Sequence, residues 1–123
     1  MWRVMCIRTL SLLLLLVLGG NPLRAQSSQP VCGSLADCDA LIRTAPGIAA
    51  YERRGYLHLM RRDLDNAIAD LSAAIAIEAR PFALYARGMA RLMAGDAAGQ
   101  NEVEAAIMLQ RDIGEEFRRY GAQ

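Results

Sequence analysis

The sequence predicts an all-α fold: a short helical solenoid of half a repeat, two helix hairpins and a C-terminal capping helix, set after an N-terminal signal peptide. Two observations carry the solenoid. "RGYLHLMRRD" from Arg54 and "RGMARLMAGD" from Arg87 share five of ten positions at an offset of 33 residues: Arg54/Arg87, Gly55/Gly88, Leu59/Leu92, Met60/Met93 and Asp63/Asp96. Self-similarity at this period marks a repeat architecture. Apolar residues after Ser34 recur at helical spacing, strand-like alternation is missing, and the alanine content favours helix.

The third observation concerns the opening segment, residues 1–25, "MWRVMCIRTLSLLLLLVLGGNPLRA". Arg3 and Arg8 give a positive start, Leu10 to Leu18 an apolar stretch, Gly19, Gly20 and Pro22 a break, and Ala25 an end for a cleavage site, the order of a secretory signal. The apolar stretch is shorter than the roughly 20 residues a membrane span needs. Leu23 stands where a small residue is usual, which leaves retention as an anchor as the alternative to cleavage. Only an uncleaved segment brings the chain to a membrane.

Residues 26–33 read as a polar tether, and residues 34–122 as the repeat domain. With residues 1–25 removed, 11 arginines and no lysine face 13 acidic residues. That balance provides no basic footprint for nucleic acid. Cys32 and Cys38 remain as an even pair. In an exported chain the pair suggests a disulfide, and two unpaired small apolar side chains are the other reading. Two thiols and a distant histidine lack the ligand spacing of a structural zinc site.

The elements follow in order. Ser34 with Asp37 forms a capping-box-like start for a helix striped by Leu35, Cys38, Leu41 and Ile42, which Pro46 and Gly47 end. The first hairpin spans about residues 48–80, with Asp63 as the expected cap of its second helix and Leu64, Ala67, Ile68, Leu71, Ala74, Ile75 and Ile77 as a broad apolar face. Gly55 costs roughly 1 kcal/mol in a helix interior, so a close approach against Ala67 and Ala74 is expected there, and Gly88 repeats it. The second hairpin spans about residues 82–110, with a break at Gly95-Asp96. A capping helix at about residues 112–121 has Asp112 as its cap and Ile113, Phe117 and Tyr120 on one stripe, suited to cover the last apolar face of the solenoid.

The stretch "AYERRGYLHLMRRDLDNAIADLSAAIAIEARP", Ala50 to Pro81, resembles the tetratricopeptide repeat, with Tyr51, Gly55, Ala67, Leu71, Ala74 and Pro81 near the motif positions. "LYARGMARLMAGD" from Leu84 matches the first helix of a second copy. Its second helix departs, with Gly99 and Gln100 where alanine is usual, and a shorter or looser helix is expected there. "LADCDALIRTAPG" resembles the second half of a unit. The resemblance covers residues 34–120 and, with the export signal, is similar to small secreted repeat proteins of bacteria, which implies a periplasmic or secreted protein. It also implies a concave groove for a protein or peptide partner, lined by Glu52, Tyr56, Leu59, Met60, Tyr85, Met89, Leu92 and Met93. Internal packing of several of these is the competing expectation.

No catalytic constellation emerges. His58, one turn beyond Gly55, reads as packing, and Ser34 as a cap. The acid pairs Asp37/Asp39, Glu102/Glu104 and Glu115/Glu116 point apart on helices, whereas paired-carboxylate chemistry needs convergent groups. The glycines form no phosphate-binding loop. The expected function is a non-enzymatic interaction module without cofactor, metal or evident small-molecule substrate; the alternative is a self-associating structural or assembly factor of the cell envelope.

Overall fold

The computed structural model describes residues 32–122, so the expected signal segment and most of the tether lie outside the described residues. Six helices follow one another: α1 Leu35–Thr44, α2 Ile48–Met60, α3 Leu64–Ile77, α4 Pro81–Met93, α5 Gly99–Leu109 and α6 Ile113–Tyr120. The described residues are all-helical. Among them no helix is long and apolar enough to cross a membrane.

The helices begin and end for local reasons. Ser34 Oγ accepts the Asp37 N–H at 3.1 Å, and its hydroxyl donates to Asp37 Oδ2 at 2.7 Å, a capping box with Asp in the acidic position. Pro81 opens α4 at its first turn, where a missing N–H costs no hydrogen bond, instead of merely closing α3. Asp63 and Asp112 do stand at N-cap positions, but neither side chain caps its helix. The Asp63 carboxylate is engaged elsewhere, accepting from Asn66 Nδ2 at 2.8 Å.

The offset of 33 residues is realised as geometry. At the end of α2, Arg62 N–H bonds to the Leu59 carbonyl and Asp63 N–H to the His58 carbonyl; at the end of α4, Gly95 N–H bonds to Leu92 and Asp96 N–H to Arg91 in the same way. Both are Schellman turns, which place one residue in the left-handed region. Arg62 has φ 59° and Gly95 φ 85°. The second copy thus uses the residue that adopts this conformation without steric cost.

The repeated arginines tie the hairpins together. Arg54 forks onto Asp70 of α3 through Nε and Nη2, at 2.8 and 2.7 Å, and its Nη1 reaches Asp39 of α1 at 2.7 Å. Arg87 forks onto Glu102 of α5 at 3.0 and 2.9 Å, and its Nη1 reaches Ser72 of α3 at 3.1 Å. Each arginine therefore joins three successive helices, and Asp39 and Ser72 stand at the repeat offset. The hydrogen bonds that Arg54 donates to Asp70 push its guanidinium further into the charged form, against the opposing effect of burial.

The core is narrow because small residues dominate it. Ala67, Leu71 and Ala74 of α3 and Ala83, Ala86 and Ala90 of α4 are fully buried, with Leu59, Ala106 and Ile113. A Cβ on Gly55 would stand 2.8 Å from Leu71 Cγ, so the close approach is to Leu71, between the two alanines expected to meet it. Gly88 and Gly99 face each other more tightly: a Cβ on Gly88 would stand 2.7 Å from the Gly99 carbonyl oxygen. The departure at Gly99 shortens α5 to 11 residues against 14 in α3, but it does not loosen the pairing. Without side chains at the crossing, the two backbones come into direct contact.

Two outcomes follow from these contacts. Gly55→Leu lowers stability by about 1–3 kcal/mol through overpacking, and Gly99→Ala costs more than Gly55→Ala, because a backbone carbonyl yields less than a leucine; urea midpoints reversing that order would contradict the packing. Arg54→Ala costs about 2–3 kcal/mol, below the 3–5 of a fully buried pair. Arg54→Lys recovers only part of it, since an ammonium cannot make the fork. Full recovery by lysine in the same unfolding assay would reduce the interaction to simple charge.

Candidate functional site

The surface of interest is the face formed by α2 and α4, where a partner groove is expected, and it already holds a helix. α6 packs chiefly against α4 and only slightly against α5. It therefore covers the last hairpin mainly through the first of its two helices, and leaves the end of α5 bare. The cause is aromatic pairing. Phe117 meets Tyr56 and Tyr85, both with ring centroids at 5.3 Å; Tyr120 meets Phe82 at 4.4 Å and Tyr56 at 5.1 Å. Edge and tilted pairs at such distances add about 0.5–1.5 kcal/mol each beyond burial.

Both glycines at the ends of α6 sit on these rings. A Cβ on Gly114 would stand 3.3 Å from Tyr85 Oη, and one on Gly121 would overlap Tyr56 Oη. The helix backbone therefore comes down onto the groove at two points seven residues apart, two turns of helix. Arg53 fixes the far end: its Nη1 donates to the Tyr120 carbonyl at 3.2 Å, its guanidinium lies 5.2 Å from the Tyr120 ring centre, and its Nε donates to the Cys32 carbonyl at 3.2 Å. Cys32 and Cys38 stand at disulfide distance, Sγ to Sγ 2.05 Å, with both side chains buried. The cysteine pair thus holds the carbonyl that orients the arginine that holds α6.

The expected groove residues divide into three groups. Tyr56 and Leu59 are core, Tyr56 beneath α6 and Leu59 buried within the hairpin; Glu52 is buried as well. These three are not open to a partner in this structure. Tyr85 and Met89 are half-buried and line a cleft of about 610 Å³ together with Arg111, Gly114, Phe117 and Arg118. Met60, Leu92 and Met93 are exposed at the ends of α2 and α4. The apolar pair repeated at the offset therefore does not form one continuous stripe, because its first leucine points into the core.

Two polar groups stand out. His58 is not in an apolar environment: Nδ1 lies 3.1 Å from Asp63 Oδ2, off the hydrogen-bond direction, and Nε2 lies 3.8 Å from Asp70 Oδ2. The Asp63 carboxyl is held below the usual range by the Asn66 side chain first and by His58 to a lesser degree. Glu52, 5 % exposed, is the stronger anomaly. Its Oε2 lies 3.5 Å from Arg80 Nη1 and its Oε1 has no hydrogen-bond partner. Burial pushes its carboxyl above the usual range; Arg80 opposes this, while Glu116 and Glu78 add to it. Tyr120 is likewise pushed up, by burial first, with Glu52 among the causes. Among the described residues no group of three or more His, Cys, Asp and Glu side chains is placed to hold a metal ion.

The residues missed by sequence reasoning are Arg53 and Phe82, and the buried state of Glu52. Arg53 carried no periodic signal, since it falls outside the repeated stretch. Phe82 had one available cue, an aromatic directly after the helix-opening proline.

Because the folded Glu52 pKa lies above its unfolded value, the native state keeps the proton to higher pH. The penalty is absent below the ordinary carboxylate range, grows as pH rises out of that range, and is complete above the raised value. Glu52→Gln is therefore expected to raise the melting temperature at pH 7, by about 1 kcal/mol or more in stability, with the advantage gone near about pH 4. A parallel pair of melting curves at the two pH values would contradict this.

No protein-family model, curated protein or solved structure matches the chain, and the chemistry of the site rests on its own geometry.

Proposed function

We propose that this chain is an exported interaction module of tetratricopeptide type that docks a helical segment of a partner protein on its concave face. The observation that carries the reading is that this face holds a helix, α6, through aromatic pairs and glycine contacts. A surface shaped for one amphipathic helix recognises others by the same contacts, in the manner of helix-in-groove binding. The half-buried Tyr85 and Met89 supply amphipathic and adaptable area next to it. The polar side chains best ordered by the fold, Arg54, Arg87, Asp70 and Glu102, are engaged in joining helices, which supports a binding role over a catalytic one. The buried cysteine pair at disulfide distance suits an oxidising compartment.

A second reading, self-association, has its own observation. Because α6 lies on the concave face, the end of α5 is left bare, with Met108 86 % and Leu109 64 % exposed. Apolar area of this kind at the end of a solenoid invites a second copy to stack.

The two readings separate when a photo-crosslinking side chain replaces Met89 in one variant and Met108 in another, and the protein is activated in its native envelope. Docking in the groove gives a heterologous adduct from position 89. Stacking gives an adduct of twice the chain mass from position 108 with none at 89, and that result would displace the first reading.

A further inference from the structure

The first and last described segments of the chain meet at one side chain. Arg53 of α2 donates from Nε to the Cys32 carbonyl and from Nη1 to the Tyr120 carbonyl, both at 3.2 Å, and its guanidinium lies 5.2 Å from the Tyr120 ring centre. Cys32 has little else to keep it in place. It is joined to the Ser34 cap through Gly33, whose backbone turns freely, and among the described residues its other tie is the sulfur of Cys38, fully buried on α1. When that bond opens, the carbonyl is no longer held in front of Arg53. α6 itself is held unequally along its length. Its N-terminal end is fixed by Ile113, fully buried in the core, and by the hydrogen bond that Gln110 Nε2 donates to Glu116 Oε2. Its C-terminal end rests on the rings of Tyr56 and Phe82 through Tyr120, which is only half-buried, and depends on Arg53 for a hydrogen bond from outside the helix.

Resting on the proposed docking role, we infer that the Cys32–Cys38 disulfide is a redox latch on the face formed by α2 and α4. Oxidised, it holds Arg53 against the C-terminal end of α6. Reduced, it lets that end lift from Tyr56 and Phe82 and opens the aromatic face to a partner helix. The reductant is a dithiol. One of its thiolates attacks a cysteine sulfur, at Cys32 as the more exposed of the pair, and its second thiol resolves the mixed disulfide. Two electrons pass: Cys32 and Cys38 each gain a proton as thiols, and the dithiol becomes a disulfide.

The change stays local. The two cysteines are six apart in sequence, and closing a short loop constrains the unfolded chain least, so reduction leaves the arginine forks and the alanine core in place. The freed Cys38 thiol remains a small apolar side chain in its buried seat. α6 is more easily disturbed. It has eight residues, short of the roughly 12–15 at which an isolated helix holds together in water, and its N-cap makes no side-chain bond. A short helix held by a few contacts belongs to the low-stability end of a structure, the part that opens first. Weakening one charged hydrogen bond to it changes how often it opens.

The test is hydrogen exchange on the full chain, first oxidised so that Cys32 and Cys38 are joined, then reduced with dithiothreitol. The amides of Phe117 to Gly121 are expected to exchange about tenfold faster on reduction, with those of α2 to α5 unchanged. Oxidised Arg53→Gln is expected to show the same acceleration at Phe117 to Gly121, and its reduction to add nothing further. Unchanged exchange there on reduction of the parent overturns the inference. So does an equal effect of reduction in Arg53→Gln, or an acceleration spread through α2 to α5. Should Arg53→Gln fail to fold, Cys32→Ser/Cys38→Ser decides through nitration by tetranitromethane. Tyr56 and Tyr120 must then react faster than in the oxidised parent while Tyr51, packed against the core, keeps the parent's rate; any other result overturns the inference. Neither experiment contains a partner, so these failures leave the docking role standing, and that role is decided separately by the adduct at position 89.

Discussion

The rest of the structure depends on a guanidinium held between three helices. A core made largely of alanine and glycine brings helices close but offers little apolar area per residue, and burial contributes only about 25 cal/mol per Å². Small residues also specify register weakly, since one alanine packs much like another. Arg54 and Arg87 supply what the core lacks. Each fork onto a carboxylate of the next helix fixes rotation and height at once, and the third arm binds the helix before it. The planar geometry explains why arginine occupies both positions in a chain without lysine.

That rigidity places the face formed by α2 and α4. With α2 and α4 held in parallel by the helices behind them, Tyr56, Phe82 and Tyr85 come to lie on one surface, although they are spread over thirty residues of chain. Aromatic rings on a fixed surface demand a partner, and the nearest available is the helix that follows α5. The connection, residues 110–112, is short. It brings α6 back over α4, and Phe117 and Tyr120 then choose the aromatic face over the aliphatic end of α5. The bare Met108 and Leu109 are the counterpart of that choice.

Much of this was legible in the sequence for one reason: helical periodicity and repetition are local signals. The helix boundaries, the turn at Gly95 and the buried Ala67 and Ala74 all follow from residues close in sequence. Even the arginine fork left a trace, the identity of Arg54 and Arg87, although its partners Asp70 and Glu102 do not recur at the same offset and so gave no pattern. The site was less legible, because it is defined by where α6 lands. Whether Tyr56 is groove or core depends on Phe117, more than sixty residues later, and no spacing rule connects them. Glu52 shows the same limit: its position on α2 does not tell that the fold buries it.

Glu52 also shows where folding and binding pull apart. A chain selected for stability alone would replace it with glutamine or an apolar residue, since a buried carboxylate with one unpartnered oxygen costs free energy and returns none in the closed state. Natural structures hold such groups where a second state uses them.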